Sequence, residues 1–143
     1  MTLTETERQA LLEALDDEYR ARSTYEQVIR DFGPLRPFVN IVDAEARHVS
    51  ALLALCATYG VPAPANRWPE IVPRFGSVHE ACMAGVQGEI DNVAIYDRAL
   101  KTTKRADILT VYHALRSASL DRHLPAFQRC AARRQVGHGG RNE

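Results

Sequence analysis

Glycine and proline are concentrated in a few places in this chain, and everything between them repeats apolar residues at three- and four-residue spacing. Asp31-Phe32-Gly33-Pro34-Leu35-Arg36-Pro37 is one break, and Gly60 to Gly76, with prolines at 62, 64, 69 and 73, is a second. Lys101 to Arg105 is a short polar turn, and Gly137 to Glu143 is a polar, glycine-rich tail. The spacing predicts helices over about 5–31, 37–59, 77–100 and 106–134. Thr4 with Glu7 and Ser77 with Glu80 have the form of capping boxes, and Gly60 closes the second helix. The inward faces read Leu11, Leu15, Glu18, Arg22, Tyr25, Ile29 in the first helix and Phe38, Ile41, Val42, Glu45, His48, Val49, Leu52, Cys56 in the second. They continue as Cys82, Val86, Glu89, Val93, Tyr96, Leu100, and then Leu109, Tyr112, Ser119, Leu120, His123, Phe127, Cys130. No segment alternates with period two, so no sheet is expected. The expectation is an all-α four-helix bundle over residues 1–136, two antiparallel hairpins joined by a long crossover, with a loose tail at 137–143.

A length of 143 residues corresponds to one domain. Lysine plus arginine number 18 and aspartate plus glutamate 18, so the chain lacks the basic excess of a nucleic-acid binder. No run approaches the length of a membrane span, and Met1-Thr2-Leu3-Thr4-Glu5-Thr6-Glu7 is too polar for a signal peptide. Three cysteines are too few for a disulfide scaffold. A cytoplasmic location, with no nucleic-acid or membrane partner, is expected.

The polar residues fall where they should not. Glu18, Glu45, His48, Glu89 and His123 each sit near the middle of a helix on its apolar face. A buried carboxylate without a partner costs about 3 kcal/mol or more, and three at one level repel one another. Arg22, one turn from Glu18, is the one evident internal cation and cannot neutralise three glutamates. Divalent metal ions can, and carboxylate oxygen with imidazole nitrogen suits iron, manganese or zinc. In Glu45-Ala46-Arg47-His48 the two candidate ligands are three residues apart, on one helical face. Bundle proteins with two metals use one glutamate from each of two helices and a Glu-x-x-His from each of the others. Glu18 and Glu89 fit the single-glutamate roles, Glu45 with His48 one pair, and His123 half of the other. A weak repeat accompanies this, since Glu18 is followed seven residues later by Tyr25 and Glu89 by Tyr96.

The pattern resembles the ferritin-like superfamily, bacterioferritins and rubrerythrins included. Ala14-Leu15-Asp16-Asp17-Glu18-Tyr19, Phe38-Val39-Asn40-Ile41 with Glu45-Ala46-Arg47-His48, and His123-Leu124-Pro125-Ala126-Phe127 look like a bacterial ferritin-like family of unknown function. The similarity spans roughly residues 5 to 132 and implies a ferritin-like bundle with a metal site, without supplying a reaction. One position departs from the pattern: three residues before His123 stands Leu120, which cannot bind metal. Asp121 points about 100° away on a regular helix, unless a kink at Pro125 turns it inward. Otherwise five protein ligands and an open position remain.

The expected function is therefore metal binding, most concretely two iron ions (manganese or zinc as alternatives) bridged by Glu45 and Glu89. Glu18 would cap one ion, and His48 and His123 would bind one each. Oxygen or peroxide would be the oxidant, with an external electron donor. Tyr25 and Tyr96 are the candidate catalytic residues, as electron donors or as hydrogen-bond partners of ligand carboxylates. Asn92, three residues after Glu89, is a direct ligand, a residue that steadies a ligand, or an amide that is exposed or bonded locally. Cys82 and Cys130 lie level with each other, which leaves a disulfide, a redox-active thiol pair and two buried thiols open. The rival is a structural or sensor bundle with one metal and no turnover, which Leu120 favours. Iron storage would need a cage, for which nothing in the sequence argues, and a homodimer stays open.

Overall fold

The computed structural model describes residues 2–141, with side chains through residue 133. The chain is an all-α four-helix bundle, without a strand among the described residues. Its helices are α1 (Glu5–Phe32), α2 (Phe38–Thr58), α3 (Val78–Ala99) and a fourth rod in three parts: α4 (Ala106–Ala118), a π turn (Ser119–His123) and α5 (Leu124–Arg141). At the start of α1 the Thr4 hydroxyl accepts from the Glu7 amide while the Glu7 carboxylate accepts from the Thr4 amide, a complete capping box. Ser77 caps α3 in the same way, but Glu80 reaches back one residue further, to the Gly76 amide at 2.9 Å. α5 continues to Arg141, past Gly137, where the sequence predicts the tail to begin; residues 142 and 143 lie outside the described residues.

Pairings across the bundle fix the helix directions. Glu18 of α1 meets His48 of α2, and Tyr25 meets Phe38, so α1 and α2 are antiparallel. Glu18 meets Tyr96 of α3, and Tyr25 meets Glu89, so α1 and α3 are antiparallel too. α2 and α3 therefore run parallel, and the connection between them must traverse the bundle. It does so along α1, held by Trp68 Nε1 on Asp16 at 3.0 Å, by Asn66 on Ser23 at 2.9 Å, and by the Arg74–Asp31 ion pair.

The core has two apolar clusters with a polar layer between them. One holds Leu11, Leu15, Leu52, Tyr96, Ile108 and Tyr112; the other holds Ala21, Tyr25, Val28, Phe38, Phe127 and the Cys82–Cys130 disulfide. Tyr25, Phe38 and Phe127 pack ring against ring, with centroids 5.0 to 6.0 Å apart. Phe127 lies so close to α3 that a Cβ on Gly85 would stand 2.6 Å from its ring, so this helix position needs glycine. Arg22 and Ile29, expected inside, are half-buried at the edge of the bundle, and Ala21 and Val28 face the core in their place.

The π turn corrects the reading of the fourth helix. Proline has no amide to give to the carbonyl four residues back, and its ring crowds that carbonyl. Ahead of Pro125 the helix widens, and the Leu124 amide bonds the Ser119 carbonyl five residues back. The extra residue rotates the preceding turn, so Ser119, four before His123, faces inward. Leu120 is 37% exposed and Asp121 is exposed. Neither lines the interior, and the π turn ahead of Pro125 does not bring Asp121 in.

Candidate metal centre

The polar layer contains Glu18 from α1, Glu45 and His48 from α2, Glu89 from α3 and His123 at the end of the π turn, all buried. Glu45 Oε1 lies between two imidazoles, 3.4 Å from His48 Nδ1 and 3.4 Å from His123 Nδ1. Outward from that centre, His48 Nδ1 is 3.4 Å from Glu18 Oε1, and His123 Nδ1 is 3.3 Å from Glu89 Oε1. The two rings stack, 5.5 Å between centroids and 16° between planes. Glu45 Oε1 is thus flanked on each side by one imidazole and then one outer carboxylate. Of the two imidazoles, Glu89 Oε1 pairs with that of His123 and Glu18 Oε1 with that of His48.

None of these five atoms has a hydrogen-bond partner: Oε1 of Glu18, Glu45 and Glu89 and Nδ1 of both histidines are buried and unsatisfied. Five such atoms in one place cost several kcal/mol, of the order of ~1–3 each, unless something binds them. Two donors about 2.1 Å from one ion, at tetrahedral to octahedral angles, stand about 3.0–3.4 Å apart, which matches all four separations above. Glu45, His48 and His123 form a group whose ligand atoms all lie within 4.8 Å of one another and which can hold a metal. The donor set therefore fits a divalent cation.

What surrounds the five explains why those atoms point inward. Tyr25 Oη donates to Glu89 Oε2 at 2.5 Å, and Tyr96 Oη donates to Glu18 Oε2 at 2.5 Å. The repeat seen in the sequence thus works crosswise: the tyrosine two turns beyond each glutamate holds the glutamate of the other helix. Burial, then the Glu89 charge, keeps Tyr25 protonated well above the ordinary tyrosine range; burial and Glu18 do the same for Tyr96. Asn92 is not a locally bonded amide. It donates to Asp17 Oδ2 at 2.7 Å and, more weakly, to Glu18 Oε2 at 3.4 Å, and accepts from Ser119 Oγ at 2.7 Å. Ser119 and Asn92 thus bond each other beside Glu18, and among the described residues no fourth-helix carboxylate joins them. The internal cation is likewise not Arg22, which pairs with Glu26 at 3.5 Å at the surface. It is Arg20, bound to Asp17 at 2.7 Å and lying over Gly88, whose added Cβ would meet the guanidinium at 3.3 Å.

Without an ion the histidines carry the compensation. Burial disfavours the imidazolium, but the flanking carboxylates outweigh it and raise His48 to about 10 and His123 to about 9. Burial, and then the Glu45 charge, push Glu18 up to about 7. Glu45 ends below its ordinary value because the two imidazoles outweigh its burial. Metal binding at this layer would compete with protons for the two imidazoles.

A model of an uncharacterized protein domain, DUF2202, matches residues 7–138. The crystal structure of hypothetical protein MJ0754 from Methanococcus jannaschii DSM 2661 is similar, with a TM-score of 0.83 and 24% identity over 93% of this chain and 83% of that one. At that identity the likeness concerns the fold alone. No curated protein matches the chain.

Proposed function

The chain belongs to the DUF2202 domain family, and we propose that it is a ferritin-like metal protein whose bundle holds two divalent ions, iron or manganese, for redox chemistry with oxygen or peroxide. The ferritin-like reading is supported by the single crossover between parallel α2 and α3. The observation that carries the metal reading is the set of five buried, unsatisfied ligand atoms spaced symmetrically about Glu45 Oε1. In this reading Glu45 is shared, Glu18 with His48 completes one half, and Glu89 with His123 completes the other. Iron or manganese held there supplies one-electron steps toward oxygen or peroxide. The protein's own contribution is positional. Tyr25 and Tyr96 turn Oε1 of Glu89 and Glu18 inward by holding Oε2, Asn92 steadies Glu18, and apolar clusters pack on both sides of the layer. Each tyrosine hydroxyl also touches a ligand carboxylate, which puts its ring in line to pass an electron from an external donor.

The test is oxidant consumption. Protein loaded anaerobically with ferrous iron is expected to consume oxygen or peroxide at a rate proportional to protein and well above that of free iron, and Glu45→Ala is expected to abolish the excess. Consumption no faster than free iron, with metal bound, would contradict the redox part. The compact group of Glu45, His48 and His123 favours one rival, a single structural ion without turnover.

A further inference from the structure

A cavity of about 490 Å³ lies between α2 and the fourth helix, and five arginines line it: Arg36 and Arg47 on the α2 side, Arg122, Arg129 and Arg133 on the other. His123 forms part of the same wall. These arginines differ from the rest. Nine other arginines have described side chains, and each is engaged: eight in ion pairs with a carboxylate and Arg30 with Gln27. Among the described residues, no carboxylate pairs with any of the five in the cavity. Among the described residues of a chain with zero formal net charge, the arginines without a carboxylate partner are therefore Arg30, held by Gln27, and the five around this hollow. Like charges gathered without counter-charges repel, and this arrangement is relieved by an anion.

The register divides the five into two groups. Phe38 faces Phe127 and Glu45 faces His123, so Arg36 falls opposite Arg129 and Arg133, and Arg47 falls opposite Arg122. From Arg122 to Arg133 is eleven residues, about 16 Å along a helix. Between the two groups the floor is Ile41, Ala44 and Ala126. We infer that this cavity binds a small organic molecule with an anionic group, phosphate or carboxylate, at each end of a less polar body. The guanidinium fork suits either group, and the volume is that of a small-molecule site. The inference rests on the cavity and not on the metal reading, although a bound ligand would lie beside His123.

Calorimetric titration of the full chain, as purified and after chelator treatment, tests this with three probes: hexane-1,6-diol bisphosphate, hexyl phosphate and inorganic phosphate. The bisphosphate is expected to bind one to one in both preparations, at least tenfold more tightly than hexyl phosphate, with inorganic phosphate weakest. Arg47→Ser with Arg122→Ser, or Arg36→Ser with Arg129→Ser, should each weaken the bisphosphate at least tenfold. Arg8→Ser with Arg98→Ser, the same charge change outside the cavity, should leave it within twofold. The inference is overturned by no saturable binding below roughly 1 mM at about 0.1 M salt. It is equally overturned by the same loss in the control variant, by binding only when metal is present, or by binding to anionic lipid vesicles without binding of the soluble bisphosphate.

Discussion

Tyr25 and Tyr96 do one job from opposite helices. Each donates its hydroxyl to the outer oxygen of the glutamate level with it on the other helix, and so aims the other oxygen into the layer. Tyr25→Phe would leave the buried Glu89 Oε2 without its donor, and Tyr96→Phe would leave Glu18 Oε2 with only the weaker Asn92 contact. Each variant is expected to lose about 2 kcal/mol in denaturant unfolding and to bind metal about 10–100-fold more weakly, with helix content unchanged by circular dichroism. Unaltered metal affinity in both would show that the hydroxyls do not position ligands. At this scale the sequence was informative about charge and silent about partnership. A glutamate at the middle of an apolar face stands out because its burial is costly, so Glu18, Glu45 and Glu89 could be picked out unaided. Asn92 and Ser119 are neutral, and nothing in a single chain distinguishes an amide that bridges three residues from one bonded to its own helix. The tyrosine repeat could be seen, but its crosswise pairing depends on α1 lying beside α3.

The element that departs most from a regular reading is the fourth helix. Pro125 signalled a break in the hydrogen-bond ladder, but the form of the break, a five-residue π turn, is a tertiary outcome. It keeps His123 inside while turning Leu120 and Asp121 out. The leucine that seemed to subtract a ligand therefore stands outside the layer. Leu120→Glu is expected to change neither the number of metals bound nor their affinity by more than twofold, as read by elemental analysis and competition with a chelator. A gain of tighter binding would mean that position 120 reaches the site. The other elements follow the spacing of Gly, Pro and capping residues to within two residues, apart from the end of α5. Those signals are local, which is why they survive without knowledge of the packing. No helix among the described residues is long and apolar enough to cross a membrane.

For the molecule as a whole, the polar layer is a liability that pH should expose. His48 and His123 have native values near 10 and 9 against an ordinary 6.5, so in metal-free protein their contribution is complete below about 6.5 and is lost as pH rises through 9 to 10. Glu18 has a raised value near 7 against 4.5, so its burial as a carboxylate costs stability as pH climbs from 4.5 through 7. Both trends have the same sign. Metal-free protein is expected to melt at progressively lower temperature from pH 5 to pH 10, and metal-loaded protein to lose much of that slope, because the ions take over the charge compensation. Parallel slopes for the two forms in thermal melts would speak against metal at this layer. The most direct test is the number of ions per chain. Elemental analysis after anaerobic loading with ferrous iron and removal of loose metal should give about two in the wild type. Glu45→Ala, which removes the shared ligand, should lose both, and Glu18→Ala should lose one. One ion or fewer in the wild type, or a count unchanged by Glu45→Ala, would contradict the two-metal account.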